Sequence, residues 1–330
     1  MEIKIKGKVP TNCLNKNEML HMIRNFEIKK TMLFAFIMVI SYQFVDAQVQ
    51  IEMKSEYIGK SDYRKSENEK SEKVGDSRGA AMVHQANITI PLSLRLNENK
   101  RPTLWAISMN GTYAKLDNKN LTESLVVDNI LNIGINLSHL RPLNDRWSML
   151  ATVGGGIFMP DTDFSQAGLK NVLGNVGTVF IRHLKPNLDL GGGIMINNSF
   201  GFPMVFPALY LNWKTEGKYA VRIALMQGLE MSLGYDFTKN LRLNLIAEMN
   251  GQTALLQQEG KDKMFSHLYM IAGFRPEIKI GKKISIPLTI GMNLWRPAQI
   301  TDRTLKSMFQ DKEYYFRASP YASAGLKMHL

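Results

Sequence analysis

The histidines are the first residues to test for chemistry. Downstream of residue 47 there are five, His84, His139, His183, His267 and His329. No pair has the i, i+4 spacing with which a helix offers two imidazoles to zinc. Ser266 and His267 are adjacent in sequence. In a strand, neighbouring side chains point to opposite faces, so this pair cannot act directly as nucleophile and base. His84 alone falls on an outward apolar parity, from which a Ser–His couple would reach lipid; a headgroup contact is the plainer expectation. The single cysteine, Cys13, lies near the start of the chain. That leaves no disulfide scaffold and no thiolate zinc site. No catalytic residue, metal ligand or cofactor is predicted, and the chain is not expected to be an enzyme.

A sharper constellation is a set of charges. Arg222, Asp236, Arg242, Arg275 and Glu277 fall on one parity of neighbouring alternating segments, close to short turns, and Glu230 and Glu248 fall farther from those turns. In a barrel wall, an arginine facing lipid at the bilayer midplane costs about 2–4 kcal/mol. The seven are therefore expected to face a lumen, either as a mutually satisfied network or as a charged constriction that selects solutes.

Period-two hydrophobicity positions them. Ala86–Leu96, Asn129–His139, Leu229–Phe237, Leu241–Leu245 and Ile284–Leu294 put apolar residues on every second position. Such runs are longer than average soluble strands and match a tilted strand that crosses a bilayer. Short polar turns such as Arg141–Asp145 and Thr238–Asn240 alternate with longer polar stretches, among them Gly59–Ala81, Lys115–Ser124, Gly251–Lys263 and Ala298–Tyr314. Short turns at one rim and long loops at the other predict an all-β, antiparallel, up-and-down transmembrane barrel. Counting gives fourteen strands; merging those beside Gln227-Gly228, or dropping 49–57, gives twelve or thirteen. The long polar loop at 59–81 is expected to be solvated. Trp147, Trp213, Tyr235, Phe237 and Trp295 sit at strand ends, where amphipathic rings meet the membrane interfaces.

Pro91, Pro207 and Pro287 oppose this reading, since each removes a ladder hydrogen bond unless a bulge absorbs it. The glycine triplets Gly154–Gly156 and Gly191–Gly193 precede neither Lys-Ser/Thr nor a helix, so they form no phosphate loop. Within strands they mark a bend, or space left in the lumen.

Bulk composition agrees. Hydrophobic residues make up 45% of the 330 residues, and the mean hydropathy is −0.16. No run approaches the ~18 apolar residues of a spanning helix. Lys29, Lys30 and the apolar Thr31–Ile40, followed by Val45-Asp46-Ala47, read as an export signal over residues 1–47, with Met22 as an alternative start. Residues 1–47 hold seven Lys/Arg against four Asp/Glu, so 48–330 keep a net charge of +9 (34 basic against 25 acidic). The basic residues form no helix or aromatic-spaced stripe, which argues against nucleic acid and for anionic lipid and glycolipid at a membrane surface.

With these features, residues 48–330 resemble the uncharacterised outer-membrane β-barrel proteins of Bacteroidetes-type bacteria. The resemblance rests on the signal segment, the strand rhythm and the terminal strand Tyr321–Leu330. It implies an outer-membrane location and an assembly machinery that recognises that last strand; Leu330 replaces the common terminal aromatic. Three functions are open. The first is a narrow passive channel or transporter for small molecules. The second is a surface or structural barrel, an adhesin or scaffold acting through its long loops. The third is a lipid-modifying barrel enzyme.

Overall fold

The computed structural model describes residues 48–330 apart from 68–69, 99–100, 122–124, 216, 226–227 and 310–311. The export signal, Met22 and Cys13 lie outside the described residues. Fifteen strands follow in order: β1 (Gln50–Glu67), β2 (Lys70–Leu96), β3 (Pro102–Lys119), β4 (Asn129–Pro142), β5 (Trp147–Met159), β6 (Val172–Lys185), β7 (Leu188–Asn197), β8 (Met204–Lys214), β9 (Tyr219–Leu225), β10 (Leu229–Thr238), β11 (Leu241–Gln258), β12 (Lys261–Ile280), β13 (Ile284–Asp302), β14 (Lys312–Phe316) and β15 (Ser319–His329). From β1 to β14 each pairs antiparallel with the next, and β15 pairs with β13 and β1. β14 and β15 lie end to end between β13 and β1 and form one interrupted stave. The result is a closed barrel of fourteen staves, the fold that the alternation predicts. β9 and β10 are separate strands, which removes the twelve-strand alternative.

The outward parity is apolar and uncovered. Ile290 is 75% exposed, Leu209 65% and Leu245 58%, with Met53, Leu94, Ile135 and Leu233 on the same face. So much contiguous apolar surface is incompatible with water, and closing the ring removes the free sheet edges that lipid could not hydrogen-bond. The chain is a transmembrane barrel. At the short-turn rim Trp147 is exposed beneath the Arg182 guanidinium at 5.8 Å, and Tyr235 packs on Tyr219 with ring centroids 5.1 Å apart. Phe237 is exposed and Trp213 half-buried beside them; Trp295, expected at a strand end, lies instead within β13, which continues to Asp302. Trp105, not among the expected interface aromatics, is on the same rim and stacked on His139 at 4.0 Å.

Two prolines are accommodated in different ways. The β2–β3 register shifts between Pro91 and Ser93, a bulge that absorbs the missing donor. Pro287 stays in register with Glu277, and its ring lies against Gly325, where a Cβ would approach Pro287 Cγ at 3.1 Å.

The long loops require correction. Residues 59–81 are the arms of the β1–β2 hairpin, laddered from Ser61↔Gly79 to Glu67↔Lys70. Gly251–Lys263 is likewise a hairpin, turning at Glu259 (φ 53°) and Gly260 (φ 73°), consecutive positive φ values that match a tight two-residue hairpin turn. About half of Lys115–Ser124 and of Ala298–Tyr314 also extends β3, β13 and β14. Above a bilayer both faces of a hairpin can be polar, so the period-two signal disappears although the ladder continues. What this tower buries is aromatic: Tyr63 stacks on Tyr314 at 5.7 Å and packs on Phe316 at 4.7 Å.

Candidate functional site

The lumen is divided. β4 and β11 are seven staves apart, diametrically opposite in the ring, yet they touch. With its amide nitrogen facing them, Asn132 of β4 donates to the carbonyl oxygens of Leu131 (3.1 Å) and Thr253 of β11 (2.8 Å). Asn171 Nδ2, just before β6, donates to Leu255 O at 2.6 Å. A wall flattened this way must turn sharply beside the pinch, and inward glycines permit it. A Cβ on Gly154 would overlap the Asn136 side chain and approach Ile135 O at 2.7 Å; one on Gly193 would overlap Thr178 O. The inward members of the triplets, Gly154, Gly156, Gly191 and Gly193, are therefore sites of close backbone approach.

One lobe, from β11 through β1 to β4, is filled toward the tower by Ile58, Val83, Ala114, Phe265, Tyr269 and Tyr321. Leu125, Val126 and Val127 of the β3–β4 connection pack against this core, and Ile300 N donates to Leu125 O at 2.8 Å. At its centre is Glu56, fully buried. It accepts from Tyr269 Oη (2.8 Å), Tyr321 Oη (2.5 Å) and Gln85 Nε2 (2.9 Å), and Lys54 Nζ lies 2.8 Å away. His267 is buried two residues from Tyr269 and bonded to Gln252 at 2.9 Å. Ser266 is on the other face of β12, as the alternation requires.

The seven predicted charges fall into three groups. Arg275 forms a bidentate pair with Glu248 and reaches Thr289 Oγ1 at 2.9 Å, with Lys54 3.6 Å from Glu248. Asp236 accepts from Arg242 Nε (2.8 Å) and Nη2 (2.6 Å) and from Lys279 Nζ (3.2 Å). Glu277 stands opposite Arg242 in the β11–β12 register. Arg222 and Glu230 differ from the rest. They approach to 3.5 Å, yet their side chains stay 59% and 58% exposed, against 13% for Glu248 and 0% for Glu56. The lobe bounded by β5–β10 therefore holds open, wettable charge. Lys54, Glu56 and Lys279 were not foreseen, although continuing the inward parity along their strands would have found them.

A second unforeseen group lines the open lobe near the short-turn rim. Ser148 Oγ lies 2.8 Å from His183 Nε2, and His183 Nδ1 lies 2.7 Å from Asp189 Oδ1. These are nucleophile–base–orienter distances. However, Ser148 is 4% exposed and laddered opposite Ile181. In a ladder the N–H groups lie in the sheet, perpendicular to the side chains. They cannot converge on an oxyanion beside an inward Oγ. The trio reads as a cross-strand clamp, and Ser148 is expected to stay unlabelled by a fluorophosphonate probe; stoichiometric labelling abolished by His183→Ala would refute this. His84, on the lipid side, lies 3.0 Å from Ser55 Oγ and stacks on Tyr113 at 6.3 Å. Among the described residues, no group of three or more His, Cys, Asp or Glu is placed to hold a metal.

Above the open lobe three connections are tied together by Arg303. Its guanidinium donates to Ser199 O (3.1 Å), Lys170 O (3.2 Å) and Asn198 O (2.8 Å), and burial pulls it below its ordinary pKa while Asp262 opposes. Next to it a hydrogen bond from Lys263 holds the Asp302 carboxyl below the usual range. That clasp persists above ordinary carboxylate pH values and opens as pH falls through the lowered pKa.

The family profile described as "Domain of unknown function (DUF6268)" matches residues 44–329. A comparison with curated proteins finds no match. Among solved structures, the chain is similar to the COG4313 outer membrane channel from Pseudomonas putida F1 (11% identity, TM-score 0.42, covering 88% of this chain and 98% of that one). It is also similar to the KdgM porin in complex with disordered oligogalacturonate (8%, 0.31, 85% and 99%). A further similarity is to the outer membrane protease OmpT from Escherichia coli (8%, 0.29, 87% and 99%).

Proposed function

Since the chain belongs to the DUF6268 family, which comes with no assigned activity, we propose a function from its own lumen: a narrow passive channel for small solutes in a bacterial outer membrane, running through the β5–β10 lobe. The observation that carries this is the contrast in wetness. Toward the tower, the inward charges of the β11–β4 lobe around Glu56 and Glu248 are largely buried and paired, and only its rim pair Glu52–Lys327 is open (48% and 39% exposed), whereas Arg222 and Glu230 point inward and remain mostly exposed. A water-filled half-lumen with one opposed pair of charges is a selecting constriction. The two ion-paired networks around Asp236 and Glu248 stiffen the wall beside it. Arg303 holds the connections over its mouth.

Purified protein in planar bilayers is expected to pass a small ohmic current, and Arg222→Glu is expected to shift its selectivity toward cations. A silent wild-type protein across salt and voltage would overturn the proposal. A second reading is supported by the tower: a rigid, aromatic-cored hairpin surface beyond the membrane suits a binding surface. It predicts that exchanging residues 65–72 for a two-residue Asn-Gly turn removes surface binding while the bilayer current persists.

A further inference from the structure

On the lipid side of the wall, two irregularities meet. β13 bulges at Leu294–Trp295, where its register to β12 shifts between Met270 and Ile271. The neighbouring stave is interrupted at Arg317–Ala318, between β14 and β15. Together with β1 and β2 they leave a hollow of about 490 Å³ lined by Arg64, Ser71, Leu294, Tyr315, Arg317 and Ala318. Its residues face outward. Tyr63 and Phe316, the neighbours of Arg64 and Arg317, are buried inward, and alternation turns the two arginines to the other face.

The height of the hollow is informative. Leu294 is ten residues along β13 from Ile284, a rise of about 25 Å for a strand tilted by ~40°, equal to the apolar band of a bacterial barrel. Below the hollow the outward residues are Leu288, Ile290 and Met292, all exposed. On its tower side the outward residues are polar: Arg64 and Ser71, which line it, with Lys73 and Ser66 beside them. The hollow straddles the boundary where headgroups lie.

Its chemistry is net cationic. Arg64 is oriented by Ser71, donating from Nε to Oγ at 2.8 Å and from Nη2 to the carbonyl at 2.7 Å, and Ser71 Oγ also meets Tyr315 Oη at 2.6 Å. Arg317 is exposed, with its backbone fixed by a bond to Asp62 O. Of the carboxylates nearby, Asp62 pairs with Arg78 and Lys73 and Glu67 with Lys65, while Glu313, on the outward parity of Tyr315 and opposite Ser66, has its pKa raised by burial, which disfavours its charged form. Neither Arg64 nor Arg317 forms an ion pair with a described carboxylate. Two guanidiniums, a hydroxyl pair and a leucine floor match a phosphate monoester attached to acyl chains, which arginine recognises through paired N–H donors.

We propose that this hollow binds the phosphate of a phosphorylated glycolipid in the outer leaflet. The site depends on the barrel spanning an outer membrane and not on the channel reading. The test is native mass spectrometry of the folded protein in detergent with three probes: a diphosphorylated diglucosamine lipid, its dephosphorylated form, and inorganic phosphate. The phosphorylated lipid is expected to bind at least about tenfold more tightly than the other two, on the scale of charge-assisted hydrogen bonds. In Arg64→Gln/Arg317→Gln that preference falls below twofold, while heat-modifiable migration and bilayer current stay at wild-type values. Equal binding of both lipids, inorganic phosphate binding as tightly as the lipid, or an undiminished preference in the double variant would each overturn the site. If the variant loses its heat-modifiable migration, Arg64→Lys/Arg317→Lys replaces it. That pair keeps the charge and loses the paired donors, and an unchanged preference there would overturn the paired-donor recognition.

Discussion

Gly193→Ala is expected to remove most of the folded, heat-modifiable species, whereas Gly192→Ala is expected to leave it intact. The two residues are adjacent on β7 and alike in composition, hydropathy and local propensity. They differ in what a methyl group would meet. At Gly192 nothing lies within 4 Å of the position a Cβ would take. At Gly193 the methyl would overlap the Thr178 carbonyl oxygen and sit 2.7 Å from Val179 Cα, both backbone atoms of the paired strand β6. No side-chain rotation relieves such a contact. β6 and β7 must separate, at the upper end of the overpacking range of about 1–3 kcal/mol or beyond it. Refolding yields of the two variants into detergent, compared on a gel without boiling, check this; equal yields would mean that the corner beside the pinch is looser than described.

Glu56→Ala should be the most destabilising change in the filled lobe. The carboxylate accepts from two phenols and an amide and is paired with Lys54, all around a side chain without solvent contact. Removing it leaves Tyr269 and Tyr321 as buried donors and removes the nearer acid from Lys54. Breaking a buried charged cluster from one side costs about 3–5 kcal/mol. Glu56→Gln retains one carbonyl acceptor and should cost less than half as much. Urea unfolding midpoints in lipid vesicles measure both, and a loss under about 1 kcal/mol for Glu56→Ala would contradict the assigned network.

The barrel was legible because lipid imposes a strict rule on one face. Ile284–Leu294 alternates since every outward position must be apolar, and Gly325 makes room for the proline that interrupts the run. The tower was not legible. At Ser61–Lys73 water replaces lipid, both faces carry polar groups, and a continuing ladder reads as a loop. Parity found the charges of the lumen but not their partition. Arg222 and Arg275 look alike in sequence, and only the contact of Asn132 with Thr253 across the ring assigns one to a wet lobe and the other to a packed one. The Ser148–His183–Asp189 clamp joins three strands through register, which no single segment encodes.

The central claim is that water fills the β5–β10 lobe and lipid covers the opposite face of the same strands. Cys13 is the only cysteine of the sequence, so single cysteines introduced after residue 47 in a Cys13→Ser background give unambiguous readouts. The measurement is the reaction of Arg222→Cys and Leu233→Cys with a membrane-impermeant methanethiosulfonate in planar bilayers. Arg222→Cys is expected to react and to lose current as it does so, while Leu233→Cys, one strand away on the lipid parity, stays unmodified. An inert Arg222→Cys beside a reactive Leu233→Cys would turn the wall inside out and contradict the account.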